Sequence, residues 1–229
     1  MITVIANLKG GSGKSTVAFN LAVWLETQGQ HVIGYDLDPQ CTFSDLAMLR
    51  QEIGIKPDLT IHSVRAVLKD QLLSHTGEEV LIDVGAANMA AMKEALTAAD
   101  RILIPVPPSQ ADVWATQRFL HIVGPDIEAV KANGRQQTLA FVNRADTNKS
   151  IRETHETEAA LRMLPGIDVV LPQRLRTRTG FRRSLSEGLT VFEMSPRSQA
   201  AHEFRSLAEA LYPHLAAASE PGQEEEKVI

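Results

Sequence analysis

The 229-residue chain has a single cysteine, Cys41, which excludes an intramolecular disulfide framework and fits a reducing compartment. No run approaches the ~18 apolar residues that a membrane-crossing helix needs, and the amino terminus opens on a strand pattern instead of a charged, then apolar leader. The expectation is a soluble, cytoplasmic protein. Positive charge is also scarce. Lys and Arg number 23 against 28 Asp and Glu, a net charge of −5, so any surface for nucleic acid has to be local. There is no internal repeat. The 44% apolar content is enough for one sizeable domain, expected over residues 1–215, and residues 216–229, with Pro221, Gly222 and the run Glu224, Glu225, Glu226, are expected to form a disordered acidic tail.

Against these absences stands one dense local signal. A short apolar run, residues 2–6, is followed by Lys9, Gly10, Gly11, Ser12, Gly13, Lys14, Ser15 and Thr16, and then by a helical pattern. Glycines let consecutive backbone N–H groups turn inward and cradle phosphate oxygens. Lys14 adds a point charge, Ser15 offers a hydroxyl to Mg²⁺, and the start of the helix adds unsatisfied donors. A plain glycine-rich turn with solvated lysines is the bland alternative. The usual phosphate loop carries a glycine where this chain has Leu8.

Apolar runs at 2–6, 31–35, 80–82, 101–106, 138–142 and 168–171 read as strands covered on both faces. Helical patterns lie between them at 16–28, 60–74, 88–98, 111–133 and 198–215. The second would be capped by Thr60 and would bury Ile61, Val64, Val67, Leu68 and Leu72. Such alternation predicts an α/β fold, a doubly wound, mainly parallel sheet flanked by helices. Carboxylates follow two of the strands: Asp36 and Asp38 in Asp-Leu-Asp-Pro-Gln, and Asp83 before Gly85. Strand ends next to a phosphate loop are where an open α/β sheet places its ligands. An acidic, proline-capped turn is the alternative for the first.

Five arginines, Arg174, Arg176, Arg178, Arg182 and Arg183, fall within ten residues containing no acid. They form a candidate surface for DNA phosphates, with Arg144, Lys149 and Arg152 as weaker candidates. The other readings are a solvated loop, pairing with acids such as Glu187 and Glu193, or a dimer interface.

Lys9 ahead of Gly-Gly, the Asp-x-Asp-Pro-Gln pattern and the strand ending in Asp83 together resemble the ParA/MinD family of deviant Walker A P-loop ATPases, over about residues 1–212. The resemblance is closest to small ParA-type proteins without an amino-terminal helix-turn-helix domain. It implies ATP and Mg²⁺ as cofactors, with slow, partner-stimulated hydrolysis. It gives Asp36 an outer-sphere role toward Mg²⁺, Asp38 the orientation or activation of water, and Asp83 a water-bridged contact to the metal, with Gly85 free to reorient. Lys9 would reach the ATP of the second subunit in a dimer. Pro107, in Val-Pro-Pro-Ser, resembles a nucleotide-proximal position, and Asn143 resembles the adenine contact, although a satisfied loop asparagine reads equally well.

For partners, the resemblance implies an ATP-dependent homodimer, non-specific double-stranded nucleoid DNA and a ParB-like or cargo-adaptor protein. Plasmid or chromosome segregation is the commonest role, and carboxysome or chemoreceptor positioning uses the same cycle. The acidic end speaks against the membrane-binding helix of MinD, and one cysteine against the bridging cluster of the nitrogenase iron protein. A small-molecule ligase of the same fold is the alternative from another class.

Overall fold

The computed structural model describes residues 1–132, 136–148 and 150–216. Lys149, Asn133 and the expected tail beyond Ala216 lie outside the described residues. Seven strands form one sheet: β1 Ile2–Ala6, β2 Val32–Asp36, β3 Thr60–Ser63, β4 Glu79–Val84, β5 Arg101–Val106, β6 Gln137–Ala145 and β7 Val169–Arg176. Their order is β3-β2-β4-β1-β5-β6-β7, and every pairing is parallel.

Ten helices are described: α1 Lys14–Thr27, α2 Thr42–Glu52, α3 Lys69–Leu73, α4 Met89–Ala98, α5 Gln110–Lys131, α6 Glu153–Arg162, α7 Thr179–Ser186, α8 Val191–Met194, α9 Gln199–Leu211 and α10 Pro213–Ala216. They cover both faces of the sheet. One core joins Val4, Ile82 and Ile104 to Met92 of α4, Phe119 of α5 and Leu161 of α6. The other joins Ile5, Leu81 and Phe141 to Phe19 of α1, Phe43 of α2 and Phe204 of α9. Val4 and Ile5 thus feed opposite cores from adjacent positions. This is why the strands read as continuous apolar runs.

The expected helix at 60–74 is corrected. Residues 60–63 pair with β2, from Ile33 opposite Thr60 to Asp36 opposite Ser63, and only Lys69–Leu73 is helical. Ile61 packs against one core, while Val64, Val67 and Leu72 serve the other. A single helical face cannot reach both sides of the sheet. Gly34 lets Ile61 and Phe43 pack close against β2, since a Cβ there would lie 2.3 Å from Ile61 Cδ1 and 2.9 Å from Phe43 Cε1.

The region after β7 is tied back to α2 by Arg50, whose side chain has no exposure. Its guanidinium donates to both carboxylate oxygens of Glu193, at 2.9 and 2.6 Å, and to the carbonyls of Lys56, Pro57 and Gly188. Burial pushes the Glu193 carboxyl up, but Arg50 and the Thr190 N–H and hydroxyl outweigh it and hold it below the usual glutamate range. The stability from this pair is therefore full above the unfolded glutamate pKa of about 4.3 and is lost as pH falls through the lower folded value. Replacing Arg50 by Ala takes the cation from Glu193, which keeps only Thr190, and leaves three carbonyls without their donor, at a cost of about 3–5 kcal/mol. Urea unfolding at neutral pH is expected to show this loss, and the deficit is expected to shrink in acid as wild type also loses the pair.

Candidate nucleotide-binding site

β1 lies between β4 and β5, where the strand order turns back on itself, and residues 7–13 leave its carboxyl end there. Such a switch point opens a crevice above the sheet. Gly11 and Gly13 hold left-handed backbone, at φ 74° and 92°, and a Cβ on Gly10 or Gly11 would meet nothing within 4 Å. The cradle is open. α1 begins without a side-chain cap and without an acidic residue in its first turn. Its first N–H groups and partial positive charge remain for an anion. Ser12 Oγ is buried without a hydrogen-bond partner, and Lys14 is buried beside it in the loop.

Asp83, one residue before the end of β4, lies directly opposite Asp36 of β2. Its carboxylate has no exposure and, among the described residues, no ion pair; the Ser15 hydroxyl is the hydrogen-bonding group beside it. Burial pushes its pKa up to about 7; the nearby Ser15 hydroxyl and Lys14 pull it down, while Asp36 and Asp38 raise it further. A divalent cation satisfies such a carboxylate. Among the described residues no three metal-ligating side chains converge into a cage. The donor set therefore suits Mg²⁺ held by Ser15 and Asp83 and completed by phosphate and water.

Asp36 is engaged differently. Its Oδ2 accepts from the Ser44 N–H and hydroxyl, both at 2.9 Å, and its Oδ1 accepts from the Asp38 N–H at 3.1 Å. These bonds fasten α2 and fix the backbone from which Asp38 projects. Asp38 leans over Gly85, where a Cβ would lie 2.4 to 2.7 Å from the carboxylate atoms.

A cavity of about 400 Å³ opens beside the loop, lined by Gly13, Thr16, Asn143, Arg144, Thr177 and Phe181 among others. Asn143 sits at a register shift between β6 and β7, with Arg144 at φ 57°. Bulges of this kind re-aim side chains. The Asn143 amide donates to Ser12 O at 2.6 Å, and its oxygen accepts from the Arg144 N–H at 3.0 Å. Asn143 thus braces the phosphate loop at the mouth of the cavity. Pro107 does not line this cavity. The 105–112 segment meets the loop's other arm, where Asn7 donates to Pro105 O at 3.0 Å and Lys9 Nζ to Asp112 Oδ2 at 2.8 Å.

The arginine cluster is divided. Arg174 pairs with Glu158, and Arg176 and Arg178 share Glu203 on α9. The paired acids are not Glu187 or Glu193, and the arginines lie on β7 and at the start of α7 instead of in a loop. Arg182 and Arg183 on α7 are exposed and form no ion pair among the described residues, and Arg182 also borders the 400 Å³ cavity. Arg144 and Arg152 are exposed.

Asp112 was not singled out by the sequence. Ser109 and Asp112 show the spacing of a helix-capping pair, and Ser109 Oγ does accept from the Asp112 N–H. Nothing in that spacing points to Lys9.

The family model described as the CobQ/CobB/MinD/ParA nucleotide binding domain matches residues 3–191. A "Maintenance of carboxysome distribution protein A" from Halothiobacillus neapolitanus is 26% identical over 91% of this chain and 95% of its own. The "Chromosome-partitioning ATPase Soj" of Thermus thermophilus is 28% identical over 90% of this chain and 92% of its own. An ATP complex of McdA from Cyanothece superposes with a TM-score of 0.72 at 22% identity, covering 92% and 96% of the two chains.

The Asp38–Gly85 contact gives a direct test. Gly85→Ala forces the Asp38 carboxylate aside by about 1 Å, and a displacement of that size costs about a hundredfold in rate. Single-turnover ATP hydrolysis is expected to fall by that factor while equilibrium ATP binding stays near wild type; unchanged hydrolysis would remove Asp38 from the water-handling role.

Proposed function

The chain belongs to the CobQ/CobB/MinD/ParA family of nucleotide-binding domains, and on that premise we propose that it is a ParA-type ATPase whose ATP-bound dimer holds DNA non-specifically and positions a cargo. The observation that carries this reading is the division of labour between the loop's two lysines. Lys14 is buried within the cradle, while Lys9 is half-exposed and reaches sideways to α5. One lysine serves the subunit's own nucleotide. The other, in this reading, serves a second subunit's.

In this mechanism Ser15 and Asp83 would hold Mg²⁺, which would supply charge neutralisation for the phosphates. Asp36 orients Asp38, which handles the attacking water. The loop N–H groups, Lys14 and a trans Lys9 hold the phosphates. Phosphoryl transfer asks little covalent chemistry of the protein, so the dimer completes the site, and hydrolysis is slow until a cargo-bound partner stimulates it.

DNA would be met by Arg182 and Arg183 first, with Arg144 and Arg152 as the exposed flank. Arg174, Arg176 and Arg178 are held by acids and contribute less. Chromosome or plasmid partition is the primary role. Positioning of a carboxysome is the second reading, favoured by the relative of that name aligned over nearly its full length.

Binding to unrelated duplex DNA, measured with ATP, ADP and no nucleotide, tests the reading. Wild type is expected to hold DNA only with ATP, and Lys14→Ala in no state. Each neutralised phosphate contributes about −0.9 to the slope of log K against log salt, so Arg182→Ala/Arg183→Ala is expected to flatten the slope by about 2. ATP binding without DNA binding in any state would instead favour an ATP-dependent small-molecule ligase.

A further inference from the structure

Asp112 is a buried acid that the proposed mechanism does not use. Its side chain is 5% exposed and sits in the first turn of α5, and its Oδ1 is buried without a hydrogen-bond partner. Its Oδ2 accepts from Lys9 Nζ and from the Ser109 hydroxyl. Lys9 is 42% exposed at the other end of the same pair. The acid is fixed and the lysine can leave.

We propose that Asp112 is a positioning residue for the ATPase: its carboxylate holds Lys9 in the resting subunit, and the ATP-bound dimer forms as that lysine moves from Asp112 to the phosphates of the second subunit's nucleotide. This rests on the trans role of Lys9 given above. Two features make the exchange possible. The ammonium is already partly in water, so little desolvation is undone when it leaves. The carboxylate left behind keeps the Ser109 hydroxyl and lies at a helix N-terminus, where the backbone favours an anion. The lysine therefore trades one anion for another, and ATP supplies the stronger one. The backbone is held apart from this exchange, because the Lys9 N–H is fixed on Asn7 Oδ1 at 3.1 Å and Asn7 on the end of β5. Only the side chain has to swing.

The test compares wild type, Asp112→Asn, Lys9→Ala and the double variant. Acylation of lysine ε-amines in the nucleotide-free protein, read by peptide mass spectrometry, reports the resting pair. In wild type, Lys9 is expected to react several-fold more slowly than the exposed Lys69, and Asp112→Asn is expected to remove that protection. Dimerisation on Mg-ATP, followed by sedimentation, reports the exchange. A partly exposed ion pair is worth about three- to fivefold in an equilibrium constant and two are released per dimer, so Asp112→Asn is expected to tighten the dimer about tenfold.

On the Lys9→Ala background the same substitution is expected to leave dimerisation unchanged, a coupling that a purely structural Asp112 would not show. Lys9 reacting as fast as Lys69 in wild type overturns the proposal without any variant. So does Asp112→Asn that dimerises like wild type while Lys9→Ala fails to dimerise, an outcome that leaves the trans role of Lys9 standing. If Lys9→Ala dimerises and hydrolyses ATP like wild type, the trans role itself fails and the proposal with it.

Discussion

The structure depends on a set of polar groups at the centre of the sheet that protein alone does not satisfy. Among the described residues the buried Asp83 carboxylate has no ion pair and the buried Ser12 hydroxyl no hydrogen-bond partner, and α1 starts with uncapped N–H groups. Leaving buried polar atoms unpaired costs about 1–3 kcal/mol each, more for a charge. Arg50, also fully buried, is the contrast: it satisfies two carboxylate oxygens and three carbonyls. Ser12, Asp83 and the start of α1 lie together where a magnesium-bound nucleotide would supply both charges they lack.

Around that centre, each neighbouring element holds one part still. Asp36 spends both oxygens fastening α2 and the backbone of Asp38. Gly85 leaves the space into which Asp38 leans. Asn143, turned by the register shift in β6, braces the loop at Ser12. Asn7 braces the loop's opposite arm on β5. The loop is thus gripped on both sides, while the side chain of Lys9 is held only at its tip, by Asp112.

Much of this was legible in the residues because it is local. β1 and β5 begin and end where their apolar runs do, and the phosphate loop is a contiguous stretch whose glycines, lysine and serine declare their use. The family follows from those motifs. Partnerships across the chain were not legible. Arg174 finds Glu158 and Arg176 finds Glu203 only because β7 passes beside α6 and α9, which no spacing reveals. A five-arginine surface became two exposed arginines beside three paired ones. β3 was misread because Ile61, Val64, Val67 and Leu72 have helical spacing, yet the sheet places them on two faces. The Lys9–Asp112 contact spans 103 positions, and only the fold brings the two together.

The central claim is that each nucleotide is completed by the other subunit's Lys9, and subunit mixing tests it most directly. Lys9→Ala retains its own Asp38 but lacks the lysine, and Asp38→Ala retains the lysine but cannot handle the attacking water. Each alone is expected to be inactive in ATP hydrolysis. Mixed, they form dimers in which the Lys9→Ala subunit's nucleotide meets its own Asp38 and the lysine of the Asp38→Ala subunit, so hydrolysis is expected to return. A mixture as inactive as its components, under conditions where mixed dimers are shown to form, would place Lys9 in cis and contradict the account.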